Sequence, residues 1–132
     1  MAMQKTVIIV DDSFYMLELL QDFFSKTLDF QVLATGQNGM QAVSLFKQHQ
    51  PDLMTMDLTM PVKDGKTALE EILVDFPKAK ILIITSQIGP AIVECLKSGA
   101  AGYIEKPLEF DSQEFVREFT QSVNQALTPI KN

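Results

Sequence analysis

The 132 residues carry a net charge of −6, contain one cysteine and are 46% hydrophobic, a length and balance that make one self-supporting domain, residues 1–132, needing no disulfide or metal to fold. With Cys95 alone an internal disulfide is excluded and a reducing, cytoplasmic setting is expected. The acidic balance excludes the basic stripe of a nucleic-acid reader, and the apolar run of "MAMQKTVIIV" stops at aspartates, so neither a signal peptide nor a membrane insertion is expected.

Apolar runs alternate along the chain with stretches of helical period. "KTVIIV" (5–10) reads as a buried strand, continuous as parallel strands are. A first helix from Ser13 to about Leu28 carries Leu17, Leu20, Phe24 and Leu28 on one stripe. "QVLAT" (31–35) is a second strand and 38–49 a second helix, with Val43 and Phe46 on one face. "DLMTMD" (52–57) is the third strand, and "MPVKDGKTALEEILVDFP" a loop followed by a helix with Leu69, Ile72, Leu73 and Phe76. "AKILIIT" (79–85), the most apolar strand, is expected at the sheet centre. Pro90 suits the first turn of a fourth helix that runs to Gly99. "AGYIE" (101–105) is the fifth strand, and a fifth helix is expected from Asp111, with Glu114 completing a capping box and Phe115, Phe119 and Val123 as its stripe. The tail "TPIKN" is too short for a second domain.

Five strands alternating with five helices predict an α/β fold, a doubly wound five-stranded parallel sheet. Ligands of such sheets collect at the carboxyl ends of the strands. Asp11 and Asp12 end the first strand, Asp57 the third, Thr85 the fourth and Lys106 the fifth, so all five fall at one sheet edge. Three carboxylates converging within about 5 Å repel by roughly 3 kcal/mol per pair at an effective dielectric near 20. A proton, a divalent cation or an ammonium must relieve this, and Lys106 supplies part. The donors are hard oxygens with no His or Cys beside them, which suits Mg²⁺ or Mn²⁺ and not zinc. Carboxylates can accept phosphoryl groups as acyl phosphates, a transfer that needs mainly positioning and charge cancellation. Asp57, alone at its strand end before a Pro61–Gly65 loop, is the expected acceptor.

"VDD", "MDLTMP…DG", "ITS" and "GAAGYIEKP", in this order and spacing, resemble the receiver domain of two-component response regulators, nearest the single-domain, CheY-type chemotaxis regulators. The resemblance spans about Lys5 to Leu127. It implies the strand order 2-1-3-4-5 known for CheY. It also implies that a sensor histidine kinase phosphorylates Asp57, and that Asp12 and Asp57 bind Mg²⁺ directly, with the Thr59 carbonyl as a further ligand and Asp11 acting through water. Thr85 would donate to a phosphoryl oxygen, Lys106 would pair with another, and Tyr103 would be the switch residue that reports Thr85 movement to the face of helix four, strand five and helix five. The downstream partner would be an effector protein, the flagellar motor or another signalling protein. The chain would assist its own phosphoryl transfer and hydrolysis without being a turnover enzyme. Thr59 and Gln87 would flank the path of attacking water. The segment around Gly89–Pro90 and the long "PLEFDSQEF" depart from the family pattern. The Lys106–Pro107 bond is expected to be cis.

Other functions compete. The chain could be a receiver cut from a larger regulator, or a receiver-fold interaction module independent of phosphate, although such a module usually lacks Asp57 or Lys106 and both are here. An aspartyl-phosphate hydrolase needs a second acid two residues after the nucleophile, where Thr59 stands. A flavin site needs a phosphate loop that "DDSFYM" does not provide. Asp64–Gly65 reads as a turn, His49 as solvated, Cys95, Met54 and Met56 as packing, and Phe110 as either a partner contact or core.

Overall fold

The computed structural model describes residues 4–128; the tail from residue 129 lies outside the described residues. Five strands, β1 (Thr6–Val10), β2 (Gln31–Gly36), β3 (Leu53–Met56), β4 (Ile81–Thr85) and β5 (Gly102–Glu105), alternate with five helices, α1 (Phe14–Asp22), α2 (Gly39–His49), α3 (Gly65–Asp75), α4 (Pro90–Ser98) and α5 (Gln113–Leu127). The sheet is parallel throughout in the order β2-β1-β3-β4-β5. β3 holds the centre; the apolar β4 is interior and wholly buried, but one place off the expected central position.

Alternation along the strands divides the apolar residues between two cores. Ile8, Val10, Met54, Met56, Ile81 and Ile83 point to one face, where they meet Ala42, Phe46, Leu69, Ile72, Ile92 and Cys95 of α2, α3 and α4. Val7, Ile9, Leu53, Leu82, Ile84 and Ile104 point to the other, against Leu17, Leu20, Phe24, Phe119 and Val123. A strand covered on both faces needs apolar side chains at every position, which is why the runs are continuous. No helix among the described residues is long and apolar enough to cross a membrane.

Several ends differ from the expected ones for physical reasons. β3 starts at Leu53 because Asp52 is used outside the ladder: its Oδ2 accepts from the Thr6 N–H at 2.8 Å, and its own N–H donates to Thr6 Oγ1 at 2.9 Å. Ser13 caps α1 rather than opening it, accepting from the Met16 N–H. The helix then widens into a π-helical turn over Phe23–Thr27, with Leu28 N–H reaching Phe23 O at 3.2 Å. A regular α-helix turns about 100° between neighbours; the wider turn accompanies burial of the consecutive Phe23 and Phe24. Ser112, not Asp111, caps α5, so the Asp111–Glu114 capping box does not form; Glu114 lies instead in the first turn, where the helix dipole favours it. Phe110 turns inward and stacks on Phe23, ring centres 4.0 Å apart and planes 7° off parallel.

Asp64 proves to be the cap of α3, its Oδ1 accepting from the Thr67 N–H at 2.8 Å. That bond, helped by the Thr67 hydroxyl, holds the Asp64 carboxyl below its ordinary value. A depressed carboxyl contributes stability above its unfolded pKa and loses it as the pH falls through the folded one. Asp64→Ala is therefore expected to cost about 1 kcal/mol at neutral pH, and the difference should close on acidification below the ordinary carboxylate range. Urea titrations at several pH values check this; a deficit that persists unchanged into strong acid contradicts it.

Candidate functional site

The carboxyl ends of β1 and β3 are tied together before any side chain is considered. Asp11 N–H donates to Gly36 O at 3.0 Å and Asp57 N–H to Val10 O at 3.1 Å, so both acids leave the sheet at the same edge. One carboxylate oxygen from each of Asp11, Asp12 and Asp57 lies within 4.8 Å of the others. Asp11 and Asp57 are buried, whereas Asp12 faces solvent. Lys106 arrives from the end of β5, its N–H bonded to Thr85 O at 2.9 Å. Its Nζ donates to Asp11 Oδ2 at 2.8 Å and to Asp57 Oδ2 at 3.3 Å. The Lys106–Pro107 bond is cis.

Each of the two buried acids has a second tether. Asp11 Oδ1 accepts from the Ser13 N–H at 2.9 Å, and Asp57 Oδ1 from the Leu58 N–H at 2.8 Å. Burial raises the Asp11 carboxyl above its ordinary value despite the Lys106 and Ser13 hydrogen bonds, with the Asp57 charge adding to the rise. Burial pulls the Lys106 ammonium down, but the Asp11 hydrogen bond and the charges of Asp11 and Asp57 together carry it above the usual lysine range. Both groups move toward holding their protons, Asp11 mainly through burial and Lys106 because Asp11 and Asp57 outweigh its burial. Three carboxylates beside one ammonium also leave an excess of negative charge. A hard divalent cation meets that excess, and the donors are all oxygens. The residues fit Mg²⁺.

The loop after Asp57 is held close. Gly65 N–H donates to Leu58 O at 2.9 Å, and a Cβ at Gly65 would overlap the Asp57 carbonyl oxygen. Lys63 bridges from the loop to Glu71 on α3 at 2.7 Å.

Asp11, Asp12, Asp57 and Lys106 are therefore brought together. Thr85, wholly buried, stands at the end of β4, its Oγ1 accepting from the Gln87 N–H at 3.2 Å. That leaves its O–H able to donate to an anion. The Thr59 side chain does not join the acids; its hydroxyl accepts from the Gln87 side-chain amide, linking the loop after β3 to the loop after β4. Tyr103 points away from the α1 and α5 face, 48% exposed beside Ile92 and Leu96 of α4. Two features escaped sequence reasoning: the Thr59–Gln87 bridge, and Asp11 as the nearer partner of Lys106. The first joins residues far apart in sequence with no local signal. The second could have been weighed from the two adjacent acids, since the buried one has the greater need of a cation.

Comparison with known proteins agrees with this geometry. Residues 7–118 match the family model of the response regulator receiver domain. The chain is 40% identical over 111 residues to the chemotaxis protein CheY of Bacillus subtilis (strain 168), covering 83% of this chain and 91% of that protein. It is 38% identical over 108 residues to CheY of Thermotoga maritima, covering 81% and 89%. Among solved structures, the CheX–CheY–BeF3–Mg complex from Borrelia burgdorferi superposes with a TM-score of 0.85 at 30% identity, covering 95% of this chain and 90% of that one. The Thermotoga maritima CheB response regulator domain also scores 0.85, at 28% identity, covering 98% and 100%. The sequence motifs, the sheet order and these matches agree, and the chain belongs to the response regulator receiver domain family, among its CheY-like members.

Proposed function

We propose that this receiver is a phosphorylation-dependent switch in a two-component pathway. The observation that carries the reading is the setting of Asp57: a buried carboxylate at the end of the central strand, 3.3 Å from Lys106 and grouped with two further acids. The donor would be a phosphohistidine on a sensor kinase. A carboxylate oxygen of Asp57 attacks phosphorus, the P–N bond breaks, the imidazole leaves with its electron pair, and an acyl phosphate remains. Attack of water on phosphorus later returns the carboxylate and inorganic phosphate.

The chain's own groups supply position and charge. Lys106 cancels charge on a phosphoryl oxygen, and Thr85 donates its hydroxyl to another. Asp12 and Asp57 would hold Mg²⁺, with the Thr59 carbonyl and, through water, Asp11; bound there, the ion neutralises charge on the transferring group. Both events take place on the chain's own Asp57, so it assists its own transfer and hydrolysis without being a turnover enzyme. A cytoplasmic setting agrees with the lone thiol, Cys95.

Output would run through Tyr103. When Thr85 turns toward the phosphoryl group, the space behind it admits the phenol ring, and the face of α4, β5 and α5 changes for an effector protein. A ligand shifts such an equilibrium only by its differential affinity. The test is beryllofluoride with Mg²⁺, read on the Tyr103 ring by NMR. The ring resonances are expected to shift toward a buried environment, with no response in Asp57→Asn and a higher Mg²⁺ concentration needed for the response in Asp12→Ala. An unchanged Tyr103 ring on a protein that has taken up beryllofluoride would move the switch elsewhere.

A further inference from the structure

The edge strand β5 is flanked by two grooves. One, of about 280 Å³, lies against α4 and is lined by Ile88, Ile92, Val93, Leu96, Tyr103 and Glu105 together with Gly89. The other, of about 180 Å³, lies against α5 and includes Ile104, Glu105, Phe115, Glu118 and Phe119 in its lining. Ile88, Val93, Leu96 and Tyr103 are exposed large apolar residues in the first groove. The charged residues lining the two grooves are Glu105, shared by both, and Glu118; both are exposed. Among the described residues, no Lys or Arg lines either groove.

The surrounding sequence strengthens this sign. Glu109, Asp111 and Glu114 are exposed on the same stretch of chain, while Glu94 lies 4.0 Å from Lys66 of α3. Lys106 is committed to Asp11 and Asp57, while Lys97 and Arg117 are exposed but line neither groove. An apolar trough with Glu105 on its rim, and with Glu118 in the neighbouring groove across β5, is complemented by a segment with apolar anchors and flanking cations. An anionic segment would meet like charges beside the anchors, and such juxtaposition opposes binding.

We propose that the partner read by this face is a protein carrying a short amphipathic, cationic segment. Its apolar side chains fill the α4–β5 groove and its Lys or Arg side chains meet Glu105 and Glu118. This rests on the reading of the α4–β5–α5 face as the output surface and adds the chemistry of what docks there.

The test uses two synthetic peptides with leucine at identical helical-period positions and either lysine or glutamate elsewhere, titrated by fluorescence anisotropy against the full chain with and without beryllofluoride and Mg²⁺. The lysine peptide is expected to bind and the glutamate peptide not to. The double variant Glu105→Lys/Glu118→Lys should weaken the lysine peptide by about tenfold or more, whereas Glu18→Lys/Asp22→Lys on α1, an equal change in net charge, should alter it by less than about twofold. If the double reversal does not fold, Glu105→Gln and Glu118→Gln singly should each weaken binding by about threefold. Equal losses from the two reversals, or tighter binding of the glutamate peptide, overturn the proposal. Beryllofluoride uptake by the unmodified chain, measured in the same samples, separates the readings. Uptake without a Glu105 and Glu118 effect rejects the cationic partner alone, and absence of uptake rejects the phosphate switch.

Discussion

Replacing Lys106 with alanine should lower stability by about 3 kcal/mol when divalent cations are chelated. The figure is set by what remains behind. Asp11 and Asp57 are both buried, and Lys106 Nζ lies 2.8 and 3.3 Å from their carboxylates. Removing one partner of a buried pair strands the other charge and costs about 3–5 kcal/mol. The lower end applies because Asp12 leaves the cluster open to solvent on one side. Asp57→Asn should act with the opposite sign, since it removes a repelling carboxylate and leaves Asp11 with its nearer cation. Adding Mg²⁺ should narrow the gap between Lys106→Ala and the parent, because a cluster that has lost its ammonium binds the cation more tightly and is stabilised more by it. Urea denaturation with chelator and with Mg²⁺ measures all three. A Lys106→Ala variant as stable as the parent in chelator would mean that the cluster is not short of positive charge.

Gly65→Ala should cost about 3 kcal/mol, near the upper range of overpacking, for a reason unrelated to charge. The added methyl would overlap the Asp57 carbonyl oxygen and lie 2.9 Å from Leu58 Cα. Both obstacles are backbone and cannot rotate away. Relief would require moving the peptide that carries Asp57, so the variant should lose phosphoryl uptake along with stability. Gly89→Ala is the control. Nothing lies within 4 Å of its would-be methyl, but its φ of +77° with ψ −133° lies outside the left-handed helical region, so the cost should be backbone strain alone, about 1–2 kcal/mol, with phosphoryl uptake kept. Equal losses at the two glycines would contradict the close approach at Asp57.

The elements that sequence reads well here are those with a strong local cause. β1 and β4 are unbroken apolar runs, and doubly covered parallel strands demand such runs. Pro90 and Gly99 mark α4 because one fits a helix start and the other adopts φ +115° at its C-cap. The acids of the site were legible because a strand end is the place where an unpaired carboxylate has no structural excuse. What was not legible depends on partners distant in sequence. The loss of Asp52 from β3 needs Thr6, and the inward turn of Phe110 needs Phe23. The π-helical turn follows no periodicity of its own, since Phe24 continues the Leu17 and Leu20 stripe and only Phe23 departs from it. The shift of the α5 cap from Asp111 to Ser112 is a contest between adjacent capping residues of nearly equal merit.

The central claim is that Asp57 accepts a phosphoryl group with help from Lys106 and a divalent cation, and its most direct test is incubation of the folded chain with acetyl phosphate and Mg²⁺, followed by intact-mass and peptide mapping. The predicted result is a single phosphoryl group, located on Asp57, labile to hydroxylamine as an acyl phosphate is, absent in Asp57→Asn and suppressed by chelator. Labelling of Asp57→Asn to the parent's extent, or a folded parent that takes up no phosphoryl group with Mg²⁺ present, would contradict the account.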